Sequence, residues 1–229
     1  MAGIYLHIPF CRQACTYCGF YFTTRQAQRP AFVEALQTEM RLRAGELAGS
    51  RVESVYIGGG TPSLLSSTEI GALLGSLRAH FRLTKTAEIT LEANPDDLSP
   101  IKLEALRQLG ITRLSLGLQA LQAAELRWMN RAHSAEEGWR ALEWVAQAGF
   151  PSFSVDLIYG TPGLQDADWH AALDRLLAVP VPHLSAYALS LEPRTRLERA
   201  VATGRQPLPP EEAAARQYES LLGRMAAAG

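Results

Sequence analysis

Short runs in which apolar and polar residues alternate recur along this chain, separated by longer runs with apolar residues three and four apart. The alternating runs predict strands at residues 4–9, 53–58, 88–94, 113–118, 152–159 and 183–191. The longer runs predict helices at 30–47, 68–81, 100–109, 135–148 and 168–178, with a last one from about 210 to the end. Helices of ten or more residues between successive strands oppose hairpins, so the six units read as a parallel α/β sheet. Helix punctuation agrees. Ser66 with Glu69 and Ser134 with Glu137 have capping-box spacing, and Ser99 precedes Pro100 as an N-cap before a first-turn proline. Gly110 and Gly149 stand where C-terminal caps belong.

The alternation carries a second message, because a parallel sheet covered on both faces reads as nearly unbroken apolar residues. Here one face holds Ile4, Leu6 and Ile8, then Val55 and Ile57, then Leu91, Leu116 and Val155, and suits a jacket of helices. The other holds Tyr5, His7, Tyr56, Gly58, Glu92, Asn94, Ser115, Gly117, Gln119, Ser154 and Asp156. A closed eight-stranded barrel fills its interior with branched apolar side chains, so five polar inner faces would be costly there. The expected fold is an incomplete (β/α)6 barrel of the TIM type whose lumen holds a polar ligand. The alternative is an antiparallel sheet wet on one side.

Composition narrows the setting. The 229 residues are 47% hydrophobic and 20% charged with a formal net charge of −1, which gives no electrostatic footprint for nucleic acid. The opening MAGIYLHIPFC lacks the basic region of a signal peptide, and no segment reaches the ~18 unbroken apolar residues of a membrane helix. A cytoplasmic location follows as the expectation. Thiols stay reduced there, so clustered cysteines read as metal or redox chemistry.

All three cysteines fall within residues 7–22, HIPFCRQACTYCGFYF, as Cys11-x3-Cys15-x2-Cys18. The loop leaves the first strand at the edge where barrel enzymes place their sites. Three thiolates suit a soft metal centre. Zinc stays open on spacing alone, although structural zinc takes four ligands and the nearest histidine, His7, is expected inside a strand. A four-iron cluster on three cysteines leaves one iron free for an outside ligand. Gly58, Gly59, Gly60 and Thr61 follow the second strand; without a Lys-Ser/Thr pair they do not form a P-loop. Glu92, Gln119 and Asp156 project inward from the third, fourth and fifth strands. No lysine or arginine shares those faces, so an unpaired carboxylate there calls for an outside hydrogen-bond donor. His80, His133, His170 and His183 show no ligand spacing, and the four tryptophans read as core packing.

HIPFCxxxCxYCxF, followed by VYIGGGTPSLLS, EITLEANP and LSLEP at residues 189–193, resembles the radical S-adenosylmethionine (SAM) proteins of the oxygen-independent coproporphyrinogen III oxidase and HemW haem-chaperone family. The resemblance spans nearly the whole chain. It implies that Cys11, Cys15 and Cys18 bind a [4Fe–4S] cluster and that SAM chelates the open iron. An electron from the cluster would then split the sulfonium carbon–sulfur bond to give a 5′-deoxyadenosyl radical. It also implies SAM contacts at Tyr5, Tyr17, Gly59, Gly60, Thr61, Glu92, Gln119, Arg131 and Asp156. Arg131 is carried by the resemblance only, because locally it reads as a surface residue.

The oxidases carry a further cysteine where this chain has Phe20, which draws the chain toward the chaperones; Thr16 and Gly19 stand where chaperones often have Pro and Asp. The expected function is therefore a haem chaperone with radical SAM chemistry, the alternative a coproporphyrinogen oxidase, and a zinc-binding structural domain ranks far behind both. Expected partners are haem or a porphyrinogen, a reductant for the cluster, and recipient haemoproteins. Residues 1–191 are expected to form the partial barrel. Residues 192–229 are expected to be a linker and last helix leading to a C-terminal domain, where a longer chain would handle haem.

Overall fold

The computed structural model describes residues 2–228. Six strands, β1 (Ala2–Ile8), β2 (Arg51–Gly59), β3 (Arg82–Ala93), β4 (Arg113–Gln119), β5 (Ser152–Tyr159) and β6 (Leu184–Ala188), form one sheet in the order of the sequence. Every neighbouring pair is parallel. Among the described residues β6 does not return to pair with β1, so the sheet stays open along both edge strands. The helices are α1 (Arg29–Leu42), α2 (Ser67–His80), α3 (Pro100–Leu109), α4 (Ala123–Trp128), α5 (Ala135–Gln147), α6 (Asp166–Leu177), α7 (Arg196–Ala202) and α8 (Glu211–Ala228). This is the incomplete α/β barrel that the alternation predicts.

The apolar strand faces go where expected. Leu6 and Ile8 of β1, Val55 and Ile57 of β2, Leu91 of β3, Leu114 and Leu116 of β4 and Val155 and Leu157 of β5 are buried. They share one core with Leu73, Leu74 and Leu77 of α2, Leu103 and Leu106 of α3, Leu142 and Val145 of α5, and Leu173 and Leu176 of α6. Burying each such side chain contributes about 1.5–3 kcal/mol. A helical jacket on one face leaves the opposite face as a lumen.

Local signals set the helix ends. Both capping boxes form, Ser66 accepting from the Glu69 amide and Ser134 from the Glu137 amide, with each glutamate returning to the cap backbone. Ser99 caps α3, and Gly110 ends it in the left-handed conformation at φ 94°.

Four differences from the sequence pattern have physical causes. Helix α1 stops at Leu42, and residues 43–49 turn, with Ala48 and Gly49 at positive φ. Strand β3 begins at Arg82, because the stretch after α2 is extended although its side chains do not alternate; its register on β2 jumps between Val52/Leu83 and Ser54/Glu88. Helices α4 and α7 have six and seven residues, too few for a helical period to declare itself in sequence. Strand β6 is shorter than expected. Helix α8 packs back on the barrel: the Gly160 amide donates to Gln217 Oε1 at 2.8 Å and Trp169 Nε1 to the Gln217 carbonyl at 3.0 Å. No described helix is long and apolar enough to cross a membrane.

Candidate functional site

The cysteine loop is pinched at its base and tied down along its length. Phe10 is buried and bridges to Thr23, where the Cys11 amide donates to the Thr23 carbonyl at 2.9 Å and the Thr23 amide to the Pro9 carbonyl at 2.7 Å. Above that neck the loop lies against the segment that follows α4. The Thr16 amide donates to the Met129 carbonyl at 3.0 Å, Gln13 Nε2 to the Asn130 carbonyl at 2.9 Å, and Asn130 Nδ2 to the Ala14 carbonyl at 2.8 Å. On the other flank, Arg12 pairs with Asp96 at 2.9 Å and Asp97 at 2.6 Å. So many cross-links fix a loop that has no regular structure of its own.

The loop presents three free, half-buried thiols. Two have a side-chain hydrogen-bond donor: Thr61 Oγ1 lies 3.6 Å from Cys11 Sγ, and Arg131 Nη1 lies 3.5 Å from Cys15 Sγ. Burial pushes the Cys11 thiol up to about 11, opposed by the Thr61 hydrogen bond and the Arg131 charge. It also raises Cys18. Such thiols become thiolates when a metal takes the proton's place. Among the described residues no three His, Cys, Asp or Glu side chains close around a single metal ion.

The glycine-rich turn after β2 backs directly onto that loop. A Cβ on Gly60 would lie 2.7 Å from the Phe10 carbonyl oxygen and 3.0 Å from Cys11 Sγ, so only glycine lets the two backbones meet. Gly59, at φ 120°, donates its amide to Glu92 Oε2 at 3.0 Å. Thr61 is buried and accepts from Asn94 Nδ2 at 3.2 Å.

Inside the lumen, neighbouring strands build a polar row. Tyr56 on β2 donates to Glu92 Oε1 on β3 at 2.8 Å, and Ser115 on β4 donates to Asp156 on β5 at 2.7 Å. Burial raises the Glu92 carboxyl above its ordinary range, although the Tyr56 and Gly59 hydrogen bonds pull against it. Tyr5 stacks on Tyr56 with ring centroids 6.1 Å apart, one inward-facing layer below Gly58 and Glu92. A bulge between Gly117 and Gln119, with Gln119 at φ 66°, ends β4. It folds the glutamine side chain over Gly117, so that a Cβ there would lie 2.9 Å from Gln119 Nε2.

Arg131 is not a surface arginine. Its Nη2 donates to Asn94 Oδ1 and to the Gly117 carbonyl, both at 2.8 Å, while Nε is buried without a partner. Tyr17 packs beside it among Ala120, Leu126, Met129 and Ile158, and burial raises its phenol well above the usual range. The twelve residues singled out from sequence therefore cluster around the cysteine loop and the lumen beneath it. Sequence reading passed over Arg12, Asp97 and Ser63, whose hydroxyl donates to Asp97 at 2.8 Å and accepts from the Asn94 amide at 3.0 Å. Asp97 had a signal in the polar stretch NPDD after β3; Arg12 and Ser63 had none.

The chain is similar to known proteins over nearly its whole length. The haem chaperone HemW of Mycobacterium tuberculosis (strain H37Rv) is 39% identical over 231 residues, covering 99% of this chain and 59% of that protein. The mitochondrial radical S-adenosyl methionine domain-containing protein 1 of Bos taurus is 40% identical over 224 residues, 95% of this chain and 50% of the relative. The chain thus spans about half to three-fifths of the length of these relatives. The crystallised coproporphyrinogen III oxidase HemN of Escherichia coli, a radical SAM enzyme, superimposes with a TM-score of 0.89 at 29% identity, over 99% of this chain and 52% of that one. Residues 5–176, from the first lumen tyrosine to the last turn of α6, match the Radical SAM superfamily, and the chain belongs to it.

Proposed function

We propose that this chain is the cofactor-holding part of a haem chaperone of the HemW type, with a [4Fe–4S] cluster on Cys11, Cys15 and Cys18 and SAM in the lumen below. The observation that carries the reading is the cysteine loop: three free thiols, two of them facing a side-chain donor, above a row of polar side chains. The group fits the residues present. The unpartnered Arg131 Nε is a buried donor in want of an acceptor, and the glycine turn lets the second strand's end pack directly against the cysteine loop.

When bound, the cluster and SAM supply one-electron reductive cleavage of a sulfonium carbon–sulfur bond. The protein's part is placement. Gly59, Gly60 and Thr61 would line the methionine end of SAM, and Glu92, Gln119 and Asp156 would accept from its amino and hydroxyl groups. Arg131 offers a cation to its carboxylate. Tyr5 and Tyr17 would close the site from below and from the loop side, excluding water by packing. Haem, recipient haemoproteins and a reductant are the partners this reading entails.

Phe20 favours the chaperone over the oxidase. It lies 75% exposed at the place where the resemblance puts the oxidases' additional cysteine, so this loop offers three thiols and no fourth. Anaerobic reconstitution with iron and sulfide is expected to load about four irons per chain with broad iron–sulfur absorption. Stoichiometric zinc without that absorption would overturn the cofactor assignment. A chain extended to the length of its relatives is expected to take up haem tightly without oxidising coproporphyrinogen III. Turnover of that substrate would overturn the chaperone reading in favour of the oxidase.

A further inference from the structure

Most of Arg131's hydrogen bonding is directed at the protein and not at the lumen. Two bonds run from Nη2 to Asn94 Oδ1 and the Gly117 carbonyl, which hold the guanidinium in one orientation. In that orientation Nη1 points at Cys15 Sγ, 3.5 Å away, with the Tyr17 hydroxyl beside the same sulfur. A fork held at one end by β4 and the residue just past β3, and aimed at a sulfur by its other end, is preorganised toward that sulfur. The contact repeats in kind at Cys11, where the buried Thr61 hydroxyl is held in turn by Asn94 Nδ2. Asn94 therefore positions both donors, accepting from the arginine through its oxygen and donating to the threonine through its nitrogen.

We infer that Arg131, with Thr61 as its neutral counterpart, raises the reduction potential of the cluster by donating N–H···S and O–H···S hydrogen bonds to its cysteine ligands. The reason is electrostatic. Reduction adds one negative charge to the cluster, and donors or a cation at the sulfurs stabilise the reduced state more than the oxidised one. This is a role separate from any contact to SAM, because the Nη1 that faces Cys15 is not the orphan Nε. The inference rests on the cluster assignment proposed above, and iron and sulfide content test that assignment independently.

The test is a dithionite titration of the reconstituted protein without SAM, followed by electron paramagnetic resonance of the one-electron-reduced cluster. Arg131→Gln is expected to shift the reduction equilibrium against the reduced form at least tenfold, about 59 mV lower for a one-electron couple. Arg131→Lys should shift it less, since the charge stays but the fixed fork is lost. Thr61→Val should lower the potential by a smaller step, and Thr61→Ser should restore it. A midpoint unchanged in Arg131→Gln that still carries four irons would overturn the inference. So would failure of both Arg131 variants to hold iron while Thr61→Val holds it with unchanged midpoint, because the arginine would then act in assembly alone. If the native chain takes no iron–sulfur cluster, the cofactor assignment itself has failed.

Discussion

Tyr56 on one strand donates its hydroxyl to Glu92 on the next at 2.8 Å, and the pair, thirty-six residues apart in sequence, spans the floor of the lumen. Burial is the larger influence on Glu92 and holds its carboxyl above the usual range. A group whose folded pKa is raised binds its proton more tightly folded than unfolded, so it withdraws stability as pH climbs through that range.

Glu92→Gln therefore removes a desolvation penalty while losing one good acceptor for the Gly59 amide. Stability at pH 8 without ligand is expected to change by no more than about 1 kcal/mol. Calorimetric titration of the reconstituted protein with SAM is expected to show affinity at least tenfold weaker. Large destabilisation with unchanged SAM affinity would make Glu92 a structural residue.

Gly60 is where the glycine turn touches the cysteine loop. Gly60→Ala would place a methyl 2.7 Å from the Phe10 carbonyl oxygen, against rigid backbone and not a yielding side chain. Overpacking of this kind costs about 1–3 kcal/mol. It is expected to lower the melting temperature by roughly 3–10 °C and to reduce iron retained after reconstitution. Gly75→Ala, inside α2 with nothing within 4 Å, is the control; it should stabilise by about 0.5–1 kcal/mol.

Glu125 offers a pH test away from the cysteines. It is buried at the start of α4, hydrogen-bonded to Thr161, and burial pushes its carboxyl up to about 7, with Asp168 adding to the rise. Between the ordinary value of 4.5 and about 7, the folded chain holds a proton that the unfolded chain releases. Stability should fall as pH rises through that window, by about 3 kcal/mol in all. Thermal melts from pH 5 to 8 are expected to show this decline in the native chain and to lose most of it in Glu125→Gln. An equal slope in both would assign the decline to other groups.

Much of the molecule is legible in its sequence. Periodicity located the six strands and most helices, because a residue on a strand must face either the helical jacket or the lumen, and this chain gives the two faces different chemistry. Capping spacing located the starts of α2, α3 and α5, since an amide at a helix terminus is satisfied by a side chain within three residues. The three cysteines announced their loop by spacing alone.

What stayed hidden depends on contacts between segments far apart in the chain. Arg131 looks exposed in LRWMNRAH, yet the bulge at Gly117 and the side chain of Asn94 draw its guanidinium in against Cys15. Arg12 finds Asp97 eighty-five residues away only because the connections after β1 and β3 emerge at the same edge of the sheet. The sequence by itself determined which residues face inward and where the thiols gather, because those follow from chemistry repeated at short range. Tertiary structure alone decided which donor meets which sulfur, since hydrogen bonds are chosen by distances that no local pattern encodes.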